Sequence, residues 1–446
     1  MKQISEPGRN TPVLAETDVL VVGSGPAGLS AALGSARAGA NTMLLERFGA
    51  FGGNVTQAMV GTIGWYRHEK TVEAGGIGVE FEHRAKAMGA SHKDYDGDAE
   101  ILDCENFKIV ADEMVREAGI VPILHCPTVA TIVNGQTVNG VVTESKSGRQ
   151  AILAKRVIDA TGDGDVAALA GAEYQELPSD EKMGATTTFR CSGVDKEEFL
   201  AYVAANPQTL GDWAKNTTGK EDKMFSTMLR EPFLRAKEAG DIPPDVDIYG
   251  FWGGLTDAGE ATNISLAHTR GIDSTNVLDL TRGEMENRQK VLWAVRALRK
   301  YVPGFQNARL QAMSTLGIRD SRRIIGDYTL TEQDAKNEAK FADTIGIFPE
   351  FLDAYGTVIM PTTGRYFQIP YRISLPKNIE NLAVAGRAVS ADKIAFAATR
   401  QMMCAAVTGQ GAGVAAAVSL QSNSTSREVD MGKVQDALQA QGVRIE

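Results

Sequence analysis

The segment from Asp18 to Glu46 constrains the fold more than any other part of the chain. Asp18-Val-Leu-Val-Val-Gly23 is a short Val-rich run ending in glycine, the pattern of a strand buried on both faces. Gly23-Ser24-Gly25-Pro26-Ala27-Gly28 follows, and the small residues from Ala27 to Ala38 read as a helix closed by Gly39-Ala40. Thr42-Met-Leu-Leu-Glu46 reads as a second strand, so the whole is a βαβ unit and requires a parallel sheet. Gly23 permits a tight turn, Gly25 lets the backbone approach a pyrophosphate, and Gly28 allows helix and strand to pack closely. The helix N-terminus carries roughly half a positive charge, which favours a diphosphate. Glu46, 23 positions after Gly23, is placed to accept both hydroxyls of an adenosine ribose. An isolated GxGxxG is a weak signal. In register with strand, helix and acid it reads as a dinucleotide site rather than a structural turn.

The residues that follow favour FAD over NAD. Arg47 and then Gly52-Gly53-Asn54 suit a cofactor whose ribityl diphosphate continues along the loop. Thr128–Val133, Val138–Glu144 and Ala151–Ala154, separated by turn residues, read as an antiparallel meander. Arg156–Ala160 reads as a further buried strand, running into the turn Ala160-Thr161-Gly162. Asp103 is expected to cap a helix to Ala118, and Val121–His125 to form a strand. A late strand, Asn381–Gly386, ends at Gly386-Arg387.

The middle of the chain differs, with polar helices expected at Glu284–Lys300 and Glu332–Asp343. The expected class is α/β: a discontinuous Rossmann-type domain, residues 1–185 and 369–446, with a second α+β substrate domain, residues 186–368. Among 446 residues, 46 Lys and Arg stand against 56 Asp and Glu, a net charge of −10 that disfavours nucleic acid or an anionic membrane as partner. No signal peptide or uninterrupted apolar span is legible, so a cytoplasmic location is expected; the Ala-rich run Cys404–Leu420 comes nearest. Cys104, Cys126, Cys191 and Cys404 form no CxxC, so they are expected to be reduced and mostly buried, and no metal site is expected.

These motifs carry a resemblance. With Pro12-Val13, Leu45-Glu46-Arg47, Val157–Val166, Val302-Pro-Gly-Phe305, Gly317–Leu330, Asn381–Ser390 and Gly409–Gly413, the chain resembles, end to end, the FAD-dependent oxidoreductases of the glutathione-reductase-like superfamily. More narrowly it is similar to the bacterial FAD-dependent oxidoreductase family related to fumarate reductase flavoproteins. The resemblance implies that the backbone of Val129 approaches the adenine and that Gly386 and Arg387 lie by the ribityl chain. It also implies that Gln401, Met402 and Met403, entering the last helix, meet the pyrimidine edge of the flavin. Two departures matter. Phe48-Gly-Ala-Phe51 holds no histidine before the glycine pair, so non-covalent FAD is expected. Gly409-Gln-Gly411-Ala-Gly413 follows no strand, so no second nucleotide domain is expected.

The implied activity is oxidation of a small organic substrate by hydride transfer to the flavin N5. The flavin is then reoxidised by an external acceptor: oxygen, a quinone or an electron-transfer protein. The alternatives are an ene-reductase running the opposite way, a non-redox hydratase or isomerase, and an RNA-modifying flavoprotein, which the acidic balance disfavours. A homo-oligomer is compatible with the sequence. In Arg319-Asp-Ser-Arg-Arg323 one arginine is expected either to face the flavin or a carboxylate substrate, or to pin two domains together; Arg319 is the member singled out. His268 is the candidate base, weighed against a histidine satisfied in the core. Tyr366, with Tyr371 and Arg372, is a candidate pocket residue or simple packing beside Pro370. His68, with Trp65 and Tyr66, is a candidate cap on the ring or a loop residue.

Overall fold

The computed structural model describes residues 3–5, 7–63, 73–93, 100–207, 210–211, 228–361 and 364–446. His68, Trp65 and Tyr66 lie outside them. The βαβ unit forms as expected: strand Val13–Val22, helix Pro26–Arg37 and strand Thr42–Leu45, with Val19–Val22 in parallel register with Thr42–Leu45. Strand Val121–Ile123 extends the sheet in parallel beyond Thr42–Leu45. On the other side of Val13–Val22 lies Gly148–Asp159.

That strand corrects the sequence reading. Ala151–Ala154 and Arg156–Ala160 are not two strands but one, because Val13–Val22 offers a continuous parallel edge from Val13 to Val22. The two halves differ in their other neighbour. Residues up to Leu153 pair antiparallel with Thr137–Ser145, whose hairpin partner is Thr128–Asn134. Val157–Asp159 pair in parallel with Leu382–Val384. A strand near the C-terminus thus enters the same sheet as the first strand.

Two helices cover one another on this sheet. Met402–Gln421 packs on Pro26–Arg37 so tightly that a Cβ on Gly409 would stand 2.0 Å from Ala27 O, and one on Gly413 2.1 Å from Ala31 O. This is why a glycine cluster sits in an Ala-rich helix with no nucleotide turn. The helix is long and apolar enough to cross a membrane by length and composition, and 94% of its apolar window is buried in the protein.

The second sheet has six strands in the order Leu210–Gly211, Met228–Leu229, Gly250–Leu255, Glu260–Thr269, Ala185–Ser192 and Arg309–Met313, all antiparallel. Its core is separate: Phe199 meets Trp252 and Phe305 edge-on, with centroids 4.7 and 5.0 Å apart, beside Ile264, Val291 and Leu298. The helix here runs Val277–Tyr301, longer than the expected Glu284–Lys300, because Asn276 caps it by accepting from Leu278 N. The expected helix Glu332–Asp343 is only Glu332–Lys336. Its capping box, Thr331 with Asp334, starts it, but Glu338 takes a left-handed backbone and the chain turns into strand Thr344–Pro349. Leu330, Ile345, Phe348 and Phe367 pack with the first sheet's core rather than with the second cluster. All four cysteines are buried and unpaired.

Candidate functional site

The C-terminal ends of the parallel strands open into one cavity of about 920 Å³, at the upper end of the roughly 300–1,000 Å³ usual for small-molecule and cofactor sites. Gly23, Gly25, Pro26, Ala27, Glu46, Arg47, Gly53, Asn54, Ala160, Thr161, Gly162, Gly386, Arg387, Gln401 and Met402 line it, as do His268 and Arg319. Four expected cofactor residues do not. Gly28 is spent on packing: a Cβ there would stand 1.8 Å from Gly23 O. Gly52 faces Thr56, Met403 is buried beside Gly78, and Val129 sits on the strand just beyond Thr128, which does line the cavity. Tyr366 is elsewhere. It lies between Lys340 and Arg444, whose cations sit 3.7 and 5.7 Å from its ring centroid, beside a separate surface cavity near the C-terminus. The structure does not bring Tyr366 to the other candidates. Tyr371 is buried and Arg372 pairs with Asp343 at 3.0 Å, so neither lines the large cavity.

The donor set on the strand side fits an anionic dinucleotide. A Cβ on Gly25 would meet nothing nearer than Gly53 Cα at 3.9 Å, so the space beside it is open to a ligand. Helices Pro26–Arg37 and Met402–Gln421 both begin at this cavity and neither has a side-chain cap, which leaves their first N–H groups available to phosphate and flavin oxygens. Glu46 accepts from Ser24 N and Phe48 N, each at 2.9 Å, which fixes its carboxylate at the cavity wall. Asp159 receives Thr161 N, Thr161 Oγ1 and Ala167 N at 3.0, 2.7 and 2.9 Å and so shapes the next turn; burial pushes its carboxyl up to about 6. Arg387 is committed to protein atoms, donating to Gly162 O, to Ile318 O and to Asp163 at 2.6 Å. It ties the strand-end turn to the loop that carries Arg319.

The opposite wall comes from the second sheet: Thr186, Thr188, Tyr249, Asn263, Ser265 and His268. Strand alternation alone would place Ser265 and His268 on opposite faces. Between the pairs Thr187↔Ala267 and Phe189↔Ile264 the register slips by one residue, and this bulge returns His268 to the cavity side. The ring is held at both nitrogens. Nε2 faces Ser265 O at 3.2 Å, and a carbonyl only accepts, so Nε2 carries the hydrogen. Nδ1 then accepts from Thr186 Oγ1 at 2.9 Å. Tyr249 stacks on the ring at 5.8 Å. Burial, then the charge of Arg319, pushes the imidazole down to about 3, so it is neutral at ordinary pH.

The Arg-rich run splits by role. Arg322 pairs with Asp165 at 3.1 Å, Arg323 donates to Asp392 O and lies over Phe396, and Asp320 accepts from Tyr355. These three pin segments together, as one of the two readings expected. Thr186, Ser265 and Tyr249 escaped the sequence reading. Their signal was faint: polar residues at Thr186, Thr188, Asn263 and Ser265 alternating within otherwise apolar strands.

The comparisons with known proteins agree with this geometry. Two relatives are thiamine thiazole synthases: one from Sulfolobus acidocaldarius, 31% identical over 189 residues, or 40% of this chain and 66% of the relative. The other, from Metallosphaera sedula, is 30% identical over 172 residues, or 36% of this chain and 59% of the relative. The match thus spans less than two thirds of either relative. The OxyS anhydrotetracycline hydroxylase of Streptomyces rimosus shares the fold, with a TM-score of 0.50 and 12% identity over 95% of this chain and 65% of that one. Over residues 18–438 the sequence matches the family described as FAD dependent oxidoreductase. The chain belongs to that family, and it is an FAD-dependent enzyme.

Proposed function

We propose that this enzyme oxidises a small organic substrate by hydride transfer, with bound FAD supplying the acceptor atom N5 and an acceptor outside this chain taking the electrons. The observation that carries this reading is the polar wall across from the strand ends, where Thr186 Oγ1 stands 2.9 Å from Nδ1 of a neutral, half-buried His268. A hydroxyl or amine that loses a hydride also loses a proton. Here the proton passes from the substrate to Thr186 Oγ1 as the Thr186 hydrogen moves to His268 Nδ1, and the Nε2–H on Ser265 O keeps the ring in that tautomer. His268 is thus the base and Thr186 its relay. Tyr249, stacked on the ring, fixes its plane. The uncapped start of helix Met402–Gln421 supports negative charge at the cavity edge beside Gln401 and Met402. On this reading residues 1–185 and 369–446 hold the cofactor, and the sheet within 186–368 presents the substrate.

The test is anaerobic mixing of the FAD-loaded enzyme with small alcohols, amines and hydroxy acids, following loss of the oxidised flavin absorbance. A substrate that bleaches the flavin and emerges two hydrogens lighter supports the reading. A substrate that emerges hydrated or isomerised with the flavin unchanged in net redox state, or one that reoxidises photoreduced flavin by gaining two hydrogens, refutes it.

A further inference from the structure

Arg319 brings a positive charge into the cavity and makes no ion pair among the described residues; Asp353, the carboxylate that acts on it there, is bridged to Arg400. Its loop is fixed by Gly317, which exchanges backbone hydrogen bonds with Thr186 at 2.7 and 3.0 Å, so the guanidinium is carried on the same wall as Thr186 and His268. Three other cations facing this cavity are closed on carboxylates: Arg387 on Asp163 at 2.6 Å, Arg400 on Asp353 at 2.8 Å and Lys393 on Glu181 at 3.2 Å. Arg47 and Arg270 also line it, but both are exposed to solvent. Arg319 has no hydrogen-bond or ion-pair partner among the described residues. It is half-buried, and burial together with nearby Arg400 pushes its guanidinium below the ordinary arginine range. A desolvated charge without a partner is costly, and a bound anion would relieve that cost.

We propose that Arg319 is the recognition group for a carboxylate-bearing substrate, its planar fork taking the two carboxylate oxygens by parallel N–H···O bonds. One unpaired guanidinium matches one planar monoanion in charge and shape. A phosphate dianion on Arg319 would leave half its charge unmet, since Arg400, the cation that acts on Arg319, is already paired with Asp353. The assignment deepens the hydride-transfer reading by naming the substrate class. It also completes the proton path. Arg319 is the charge that, after burial, most disfavours protonation of His268. A carboxylate seated on Arg319 offsets that repulsion and makes the imidazole a better proton acceptor, burial remaining the larger cause of its low value.

The experiment is an equilibrium titration and needs no turnover, so it stands or falls apart from the direction of hydride flow. Oxidised, FAD-loaded enzyme is titrated with acetate, benzoate and succinate, each against its neutral amide, reading the flavin difference spectrum. At least one acid should perturb the flavin and bind at least about tenfold more tightly than its amide. Arg319→Gln should weaken that acid by about tenfold or more, and Arg319→Lys, which keeps the charge but loses the fork, should fall between. FAD per chain should be equal in all three proteins. Equal affinity for acid and amide, no spectral response to any acid, or unchanged acid binding in Arg319→Gln overturns the proposal. Loss of FAD from both variants also overturns it, because the guanidinium then serves the cofactor.

Discussion

The half-buried, neutral His268 makes a prediction about stability that is independent of any substrate. In an unfolded chain its imidazole titrates near 6.5, whereas in the folded protein burial and Arg319 hold it down to about 3. A depressed value of this kind contributes stability that is complete above 6.5 and is lost as pH falls, because the unfolded chain takes up a proton that the folded one refuses. At about pH 8 the loss is under roughly 0.1 kcal/mol, and at about pH 5 it is about 2 kcal/mol. The pH 5 figure depends almost wholly on the unfolded value, so it holds for any folded value well below 5. His268→Asn removes this titration and leaves every other group in place. The variant starts less stable, having lost a packed ring, but its stability should fall less between pH 8 and pH 5 than the parent's. At about 2.1 cal/mol/K of unfolding entropy per residue, a difference of 2 kcal/mol in a chain this long shifts the melting temperature by roughly 2 °C. Melting curves of FAD-loaded parent and variant at several pH values supply the measurement. Parallel loss of melting temperature in the two proteins would refute the claim that His268 is held neutral in the folded protein.

Four further outcomes follow from the site. Gly25→Val should fold, since only Gly53 Cα at 3.9 Å faces a Cβ there, yet should carry little FAD per chain, whereas Gly28→Val should fail to fold because its Cβ would fall 1.8 Å from Gly23 O; full flavin occupancy in Gly25→Val would remove this turn from the cofactor site. His268→Asn should slow anaerobic bleaching of the flavin at saturating substrate by about 10²–10⁴-fold with FAD content unchanged, and a variant bleaching at the parent rate would clear His268 of catalysis. Tyr366→Phe should bleach at the parent rate, because Tyr366 lies beside the other cavity; a large loss would move the site. Denaturation should release yellow cofactor into the supernatant, and colour retained by the precipitated chain would show a covalent link.

The cofactor half of the molecule was legible because local chemistry fixes it. Gly23, Gly25, Gly28 and Glu46 act within one strand–turn–helix–strand unit, where steric demands leave few residue choices. Met403 does not line the cavity, because the chain turns it inward one position after Met402 reaches it. Tyr366 was misplaced for a related reason: proximity in sequence to the late flavin strand does not give proximity in space, and strand Tyr366–Pro370 pairs with Thr344–Pro349 away from the large cavity.

By itself the sequence determined the parallel βαβ core, the dinucleotide turn and the return of a late strand, Leu382–Val384, to the first sheet, since each depends on short-range periodicity and on glycines with steric necessity. Tertiary structure alone decided the catalytic wall. A one-residue slip between Glu260–Thr269 and Ala185–Ser192 turns His268 onto the face of Ser265, and no pattern within either strand announces it. Pairing decided the arginines in the same way. Arg322, Arg387 and Arg400 found carboxylates far away in sequence, and among the described residues Arg319 forms no ion pair, so which arginine of the run is left for a ligand was decided only when the chain closed on itself.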